Sequence, residues 1–383
     1  MNTLLRGRVV GPHTVLDDGV VTVAGDRIVS VEPTRRLADR DRPEFLGTML
    51  PGLVDLHCHG GGGASFTRGD ETQVSSAAAH HLGQGTTSVV ASAVTDSPAR
   101  MLASVRASAR AAARGEVAAL HVEGPFLAAP RCGAQDPRYL RDPDLGLARE
   151  LVQAGDGHVR MMTLAPELPG ADGLVELLLE LGVVPAVGHT EADAATTERV
   201  LGRHHNGLVT HLFNGMPPLH HRAPGPVAGA LAAAANGTAR VELIADGVHL
   251  ADATVALLFS LLGADRVVLV TDAMAAAGMP DGDYRLGPQE VTVTAGVARL
   301  RGTGAAGSIA GGTSRLLDVV RRVVLYADVG LVDAVTSAST APARVLGLGT
   351  ELGCLAPGFR ADLVVVDGGL RPRRVMKAGG WVR

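Results

Sequence analysis

Short β-branched runs alternate with Ala- and Leu-rich stretches through most of this chain. The runs lie at 52–57, 86–92, 117–123, 159–165, 183–189, 208–213, 241–246 and 266–272. Between them, "SSAAAHHLGQG", "ADGLVELLLELG" and "DATVALLFSLLG" space their apolar residues as helices do, and their terminal glycines suit C-caps. Eight strand-helix units in a row predict a (β/α)8 barrel, an α/β fold. The two ends read differently. "GVVTVAGDRIVSVEP" alternates about a Gly25-Asp26 turn, and "ADLVVVDGG" and "RRVMKAGGWVR" repeat that style at the far end. Neither end is long enough for a core of its own, so both are expected to share one small β-sandwich. The expected division is 1–50 plus 346–383 for the sandwich and 51–345 for the barrel.

Barrels of this kind carry their chemistry at the C-terminal ends of the strands. Strand 1 runs into His57, Cys58 and His59, and strand 3 carries His121 and Glu123. Strand 5 reaches His189, strand 6 His211 and strand 8 Asp272, while strand 7 leads into Asp246 and His249. Period two places Asp55, His57 and His59 on one face, toward the barrel interior, with Leu56 and Cys58 toward the helices. Imidazoles and carboxylates converging in an apolar interior are costly to bury without a partner, and a divalent cation supplies one. A mixed His/carboxylate set suits zinc or iron(II) with a position left open for water. Asp55 is expected to orient a ligand or cap the strand. His80, His81, His204 and His205 fall on helix or loop and read as structural or surface residues. His121 shares parity with Glu123 but equally suits a buried, hydrogen-bonded core position. "GGGG" at 60–63 lacks the lysine and hydroxyl of a phosphate loop and reads as a sharp turn beside the site.

Composition narrows the classes. The formal charge is −4 with no basic block, which argues against nucleic acid as a partner. No run approaches the roughly 18 apolar residues of a membrane span. "MNTLLRGRVVGPHTV" lacks the apolar core of a signal peptide. The three scattered cysteines suggest no disulfide framework, so a cytoplasmic protein is expected.

Together, "PGLVDLHCHGGGG", "HVEGPF", "GHT", "THLFNGMPPLHHRAPG", "ADGVH", "VTDAMAAAGMPDG" and "APGFRADLVVVDGG" resemble the N-acetylglucosamine-6-phosphate deacetylase family of the amidohydrolase superfamily. The resemblance spans nearly the whole chain, and "HLFNGMPPLHHRAPG" is its most specific part. Many binuclear amidohydrolases bridge their metals with a carbamylated lysine on strand 4. Here strand 4 reads "VRMMTLAPE", and the only lysine in the chain is Lys377, which argues against a hydantoinase-like or dihydroorotase-like site.

The resemblance implies that Glu123, His189 and His211 hold one divalent metal, and that His57 and His59 make the chain competent for a second. Zinc comes first among the candidates, before iron, manganese or cobalt. Asp272 matches the catalytic base and His249 the residue that contacts the substrate's amide carbonyl. Ala134, Gln135, Asn214, Gly215, Ile309, Ala310 and Gly311 match further substrate contacts. Arg222 matches an arginine that reaches the sugar phosphate from the neighbouring subunit, which implies a homodimer. Three positions depart from the family pattern: Gly215 replaces an alanine, Gln135 a histidine and Gly312 a serine. The expected substrate is a phosphorylated N-acetyl amino sugar, N-acetylglucosamine 6-phosphate. The galactosamine epimer, a deaminase of related architecture and a non-catalytic scaffold are the alternatives.

Overall fold

Strands 1 to 8 of the barrel are Leu53–Cys58, Thr86–Ala93, Ala119–Glu123, Val159–Leu164, Val184–Val187, Gly207–Val209, Ala239–Leu243 and Val267–Leu269. The computed structural model describes residues 2–302, 304 and 307–382. Each strand pairs in parallel with the next. A helix follows every one, from Glu71–Leu82 after strand 1 to Leu316–Tyr326 after strand 8. Asp70, Asp144 and Asp193 start three of these helices by accepting hydrogen bonds from first-turn N–H groups.

Strand parity divides the core into two layers. Leu120, Val122, Met162, Leu164, Val241 and Leu243 point outward and pack with helix residues such as Leu174, Leu178, Val227 and Leu258. Val90, Ala119, Met161, Ala186, Leu208 and Val268 point inward, and Ala341, Val345, Leu346 and Leu352 close the barrel bottom beneath them.

Strand 1 breaks its own alternation. Its pairing with strand 2 shifts register between Asp55 and Cys58, so one extra residue is accommodated there. Leu56 consequently joins the barrel interior with Val54, contrary to the expectation that it faces the helices. Cys58 does face them, with its Sγ 3.2 Å from Nε2 of His81. Asp55 also leaves the expected face. Its carboxylate accepts the Thr271 N–H at 3.2 Å and the Thr271 hydroxyl at 2.6 Å, clasping strand 1 to the segment after strand 8.

The barrel closes through that seam. The Asp272 N–H donates to the His57 carbonyl at 2.9 Å, and the His59 N–H to the Ala273 carbonyl at 2.7 Å. Several strands end before the polar residues expected to finish them. His189, His211 and Asp272 lie just beyond their strands in left-handed conformations, with φ of 48°, 27° and 47°. Left-handed backbone in non-glycine residues is strained and collects at functional sites. Here it turns three side chains over the barrel mouth.

Both termini contribute to one seven-stranded sheet. Its order runs Gly380–Trp381, Pro372–Lys377, Leu363–Val366, Phe45–Pro51, Thr3–Val10, Val15–Ala24, Arg27–Pro33. Leu363 and Val365 pack with Leu5, Val21, Ile28 and Met49 in a separate small core. Val364, Val366, Leu50 and Val10 point the other way and pack in the main core. Period-two alternation therefore builds the small β-sandwich and fastens it to the barrel.

One element was not anticipated. Gly282–Leu286, Gln289–Thr294 and Val297–Leu300 form an antiparallel sheet after strand 8. The alternation in "EVTVTAGVARL" was visible, and Ala295 and Gly296 make its turn with φ of 50° and 74°. Leu286, Val291, Val293 and Ala298 pack there against Met274 and Val94. This sheet sets Leu286, Ser308 and Ile309 at the mouth of the barrel.

Candidate active site

Glu123 stands at the centre of the cluster, and each of its oxygens faces a different pair of histidines. Oε1 lies 3.0 Å from Nε2 of His189 and 3.0 Å from Nε2 of His211. Oε2 lies 3.2 Å from Nε2 of His59 and 3.6 Å from Nε2 of His57. Asp272 completes the second half, its Oδ1 3.1 Å from Nε2 of His59 and 3.5 Å from Nε2 of His57. In both halves two imidazole Nε2 atoms approach to 3.1 Å of one another. Like atoms crowded around carboxylate oxygens in this way fit a cation. His57–Glu123–His211 and His57–His59–Asp272 each have the spacing to hold one.

The outer face of the cluster fixes how the rings point. His189 Nδ1 is 2.7 Å from the Arg131 carbonyl, His59 Nδ1 is 3.1 Å from the Ser92 carbonyl, and His57 Nδ1 is 3.1 Å from Oε2 of Glu242. Each outer contact places the ring proton on Nδ1 and leaves Nε2 as the inward donor atom. His121 is a core residue. Ser92 Oγ at 3.0 Å and Thr163 Oγ1 at 2.8 Å take both its nitrogens, and burial holds it well below the usual imidazole range. Strand 4 contributes Thr163 to this network and no lysine. Lys377 sits at the opposite end of the barrel, its Nζ bonded to the Gly115 carbonyl.

Charge in the cluster is balanced by protons. Burial opposes ionisation of Glu123, and the His57 charge with the hydrogen bonds from His189 and His211 keeps it well below the carboxylate range. Burial likewise opposes ionisation of Asp272, but His57 and His59 bring it down to about 2. Burial disfavours a charged His59, and Asp272 with Glu123 overcomes that and raises it to about 9. The metal-free cluster thus keeps protons where a cation would place its positive charge.

Above the cluster opens a cavity of about 210 Å³. His59, Glu123, His189, His211, His249 and Asp272 line it, as do the expected contacts Ala134, Gln135, Asn214, Gly215, Ile309 and Gly311. His57 lies beneath it, fully buried. Asp246 accepts from Nδ1 of His249 at 2.9 Å, which leaves Nε2 for the cavity. Gln135 donates to Glu123 Oε2 at 2.6 Å and accepts the Thr95 N–H at 2.8 Å, so it also braces the central carboxylate. Gly215 has φ of 64°, and a Cβ there would meet His189 Nδ1 at 2.9 Å.

Two expected contacts lie elsewhere. Ala310 packs into the hydrophobic cluster with Met274 and Val291 instead of lining the cavity, because its N–H joins the Ala298 carbonyl and turns its side chain under the three-stranded sheet. Arg222 is exposed on the surface, its Nη1 2.7 Å from His221 Nε2. Leu286 and Ser308 line the cavity without having been anticipated. Glu242 was also missed. Val241 and Leu243 face the helices, so the charged residue between them had to face inward, a signal present in "VELIAD".

Residues 48–382 match the amidohydrolase family. This chain belongs to the amidohydrolase family. It is 33% identical, over 99% of both chains, to N-acetylgalactosamine-6-phosphate deacetylase of Escherichia coli O157:H7. It is 35% identical to N-acetylglucosamine-6-phosphate deacetylase of Lysinibacillus sphaericus, covering 86% of this chain and 84% of that one. Among solved structures, a mutant N-acetyl-D-glucosamine-6-phosphate deacetylase from Mycobacterium smegmatis, in complex with N-acetyl-D-glucosamine 6-phosphate, is similar at 41% identity. Its TM-score is 0.92, covering 99% of each chain. For this amidohydrolase, the match extends to the terminal β-sandwich as well as the barrel. No helix among the described residues is long and apolar enough to cross a membrane.

Proposed function

We propose that this amidohydrolase removes the acetyl group of N-acetylglucosamine 6-phosphate, giving glucosamine 6-phosphate and acetate. The observation that carries the reading is the divided Glu123 carboxylate, with a histidine pair at each oxygen and Asp272 facing the cavity. Glu123, His189 and His211 would hold one cation, and His57, His59, Asp272 and the second Glu123 oxygen another, with zinc the best match to the donor set. A cation so held lowers the pKa of its water toward about 7 and polarises a carbonyl oxygen.

The chain's own residues do the rest. Asp272, ionised at neutral pH, takes the proton from the water as its oxygen bonds to the acetyl carbon. It then gives that proton to the sugar nitrogen as the C–N bond breaks, leaving the free amine and acetic acid, which releases its remaining proton to solvent and becomes acetate. Burial opposes charge on His249, but the Asp246 carboxylate at its Nδ1 raises it, so the protonated ring donates from Nε2 to the acetyl oxygen as negative charge develops there. Asn214, Gly215, Ala134, Gln135, Ile309 and Gly311 shape the sugar's seat.

Arg222 supplies the phosphate contact, from the neighbouring subunit of a homodimer. Its exposure outside its own cavity supports this, and a guanidinium fork pairs two phosphate oxygens at once. The three free cysteines support a cytoplasmic location. We take 1–50 with 346–383 as the sandwich unit and 51–345 as the barrel, with Leu346 and Leu352 reaching back to close the barrel bottom.

The full-length similarity to the galactosamine enzyme of Escherichia coli keeps that epimer as the second reading. Acetate release measured on both epimers and on unphosphorylated N-acetylglucosamine tests the assignment. Preference for the glucosamine phosphate supports it, and equal rates on the two epimers contradict it. In Arg222→Ala, KM for the phosphorylated sugar should rise roughly tenfold or more with kcat nearly kept. An unchanged KM removes the phosphate role and favours a deaminase.

A further inference from the structure

Glu242 is fully buried in the barrel interior, on strand 7. It lies outside the lining of the cavity and has no step in the reaction above. Its Oε2 accepts two hydrogen bonds, from Nδ1 of His57 at 3.1 Å and from the backbone N–H of His211 at 3.2 Å. Its Oε1 has no partner among the described residues. A buried carboxylate with one oxygen unsatisfied is costly, and an apolar residue such as its neighbours Val241 and Leu243 would fill the strand without that cost.

The contrast among the histidines shows what it is suited for. His59 and His189 are steadied by neutral main-chain carbonyls, and His211 Nδ1 has no partner among the described residues. Of these four, His57 alone has a carboxylate behind its Nδ1. A carboxylate behind an imidazole fixes its tautomer, aims Nε2 and strengthens it as a donor atom. The same oxygen also pins the backbone of His211 at its left-handed turn. One carboxylate therefore joins a residue from each half of the cluster.

We infer that Glu242 is the positioning residue that sets His57 to receive the second cation and ties its placement to the His211 turn. This rests on the two-cation reading above.

The test is zinc titration of metal-free full-length protein, followed by chelator competition and native mass spectrometry. Wild type should take two ions. Glu242→Ala should weaken the second by about 10–100-fold and the first, whose His211 loses only a backbone contact, far less. Glu242→Gln keeps an oxygen for both N–H groups and should recover most of the loss. In a His57→Ala background, Glu242→Ala should add nothing further. A second ion held unchanged in Glu242→Ala overturns the inference, as does equal weakening of both ions, which marks a merely structural role. If Glu242→Ala fails to fold, Glu242→Asp serves, because its shorter carboxylate draws back from His57, and an unchanged second ion there overturns the inference equally. Wild type taking a single ion defeats the two-cation reading and this inference together, while acetate release separately decides whether the deacetylase assignment stands.

Discussion

His59 and Asp272 tie the stability of the metal-free protein to pH. His59 rises from 6.5 unfolded to about 9 folded, so its contribution is full below 6.5 and lost as pH climbs through about 9. Asp272 falls from 3.8 to about 2, so its contribution is present above 3.8 and lost as pH drops through about 2. The melting temperature of chelated protein should therefore fall from pH 6.5 to 9, and the fall should flatten in His59→Gln. A flat wild-type profile over that window contradicts the charge balance described here. Zinc binding near neutral pH should also release protons, measurable as buffer-dependent binding enthalpy. At this scale the sequence was informative where a residue type was unusual for its place. His57, His59, Glu123, His189, His211 and Asp272 stood out because strands seldom finish on ligand side chains. Glu242 escaped because it sits inside an apolar run, and Ala310 was placed by resemblance in a loop whose path depends on the three-stranded sheet.

Among the elements, outward strand faces and helix stripes supply the core, and the mouth supplies the chemistry. Leu174, fully buried between its helix and the barrel wall, should cost about 2–5 kcal/mol on truncation in Leu174→Ala. Denaturant unfolding checks that, and zinc stoichiometry should stay unchanged. A large loss of bound metal would mean that the wall and the site are less separable than the two core layers imply. The strand-helix alternation was readable because each unit repeats one pattern with its own caps. The bulge in strand 1 was not readable, because period two holds only until an extra residue is inserted, and Leu56 is apolar enough for either face. The early strand ends at His189, His211 and Asp272 were hidden for a related reason. Left-handed backbone is uncommon even for His and Asp, so nothing local in the sequence marks these positions for it.

Over the whole molecule, strands 1, 3, 5, 6 and 8 and the adjoining loops all meet at one cluster. Metal binding should therefore stabilise the fold as a unit. Saturating zinc should raise the melting temperature of chelated wild type, and the rise should shrink sharply in His211→Ala. No rise in wild type would mean that the cluster does not bind zinc in the folded state. The terminal sandwich was foreseen from two end segments too short to stand alone, and the single-lysine composition correctly removed a lysine from strand 4. The deacetylase chemistry is decided by acetate release from N-acetylglucosamine 6-phosphate, measured for zinc-loaded wild type and Asp272→Asn. Turnover in wild type is expected, with a fall in kcat of about 10²–10⁴-fold in the variant while the zinc on Glu123, His189 and His211 stays bound. Wild-type rates retained by Asp272→Asn, or no acetate from zinc-loaded wild type, would contradict this chemistry.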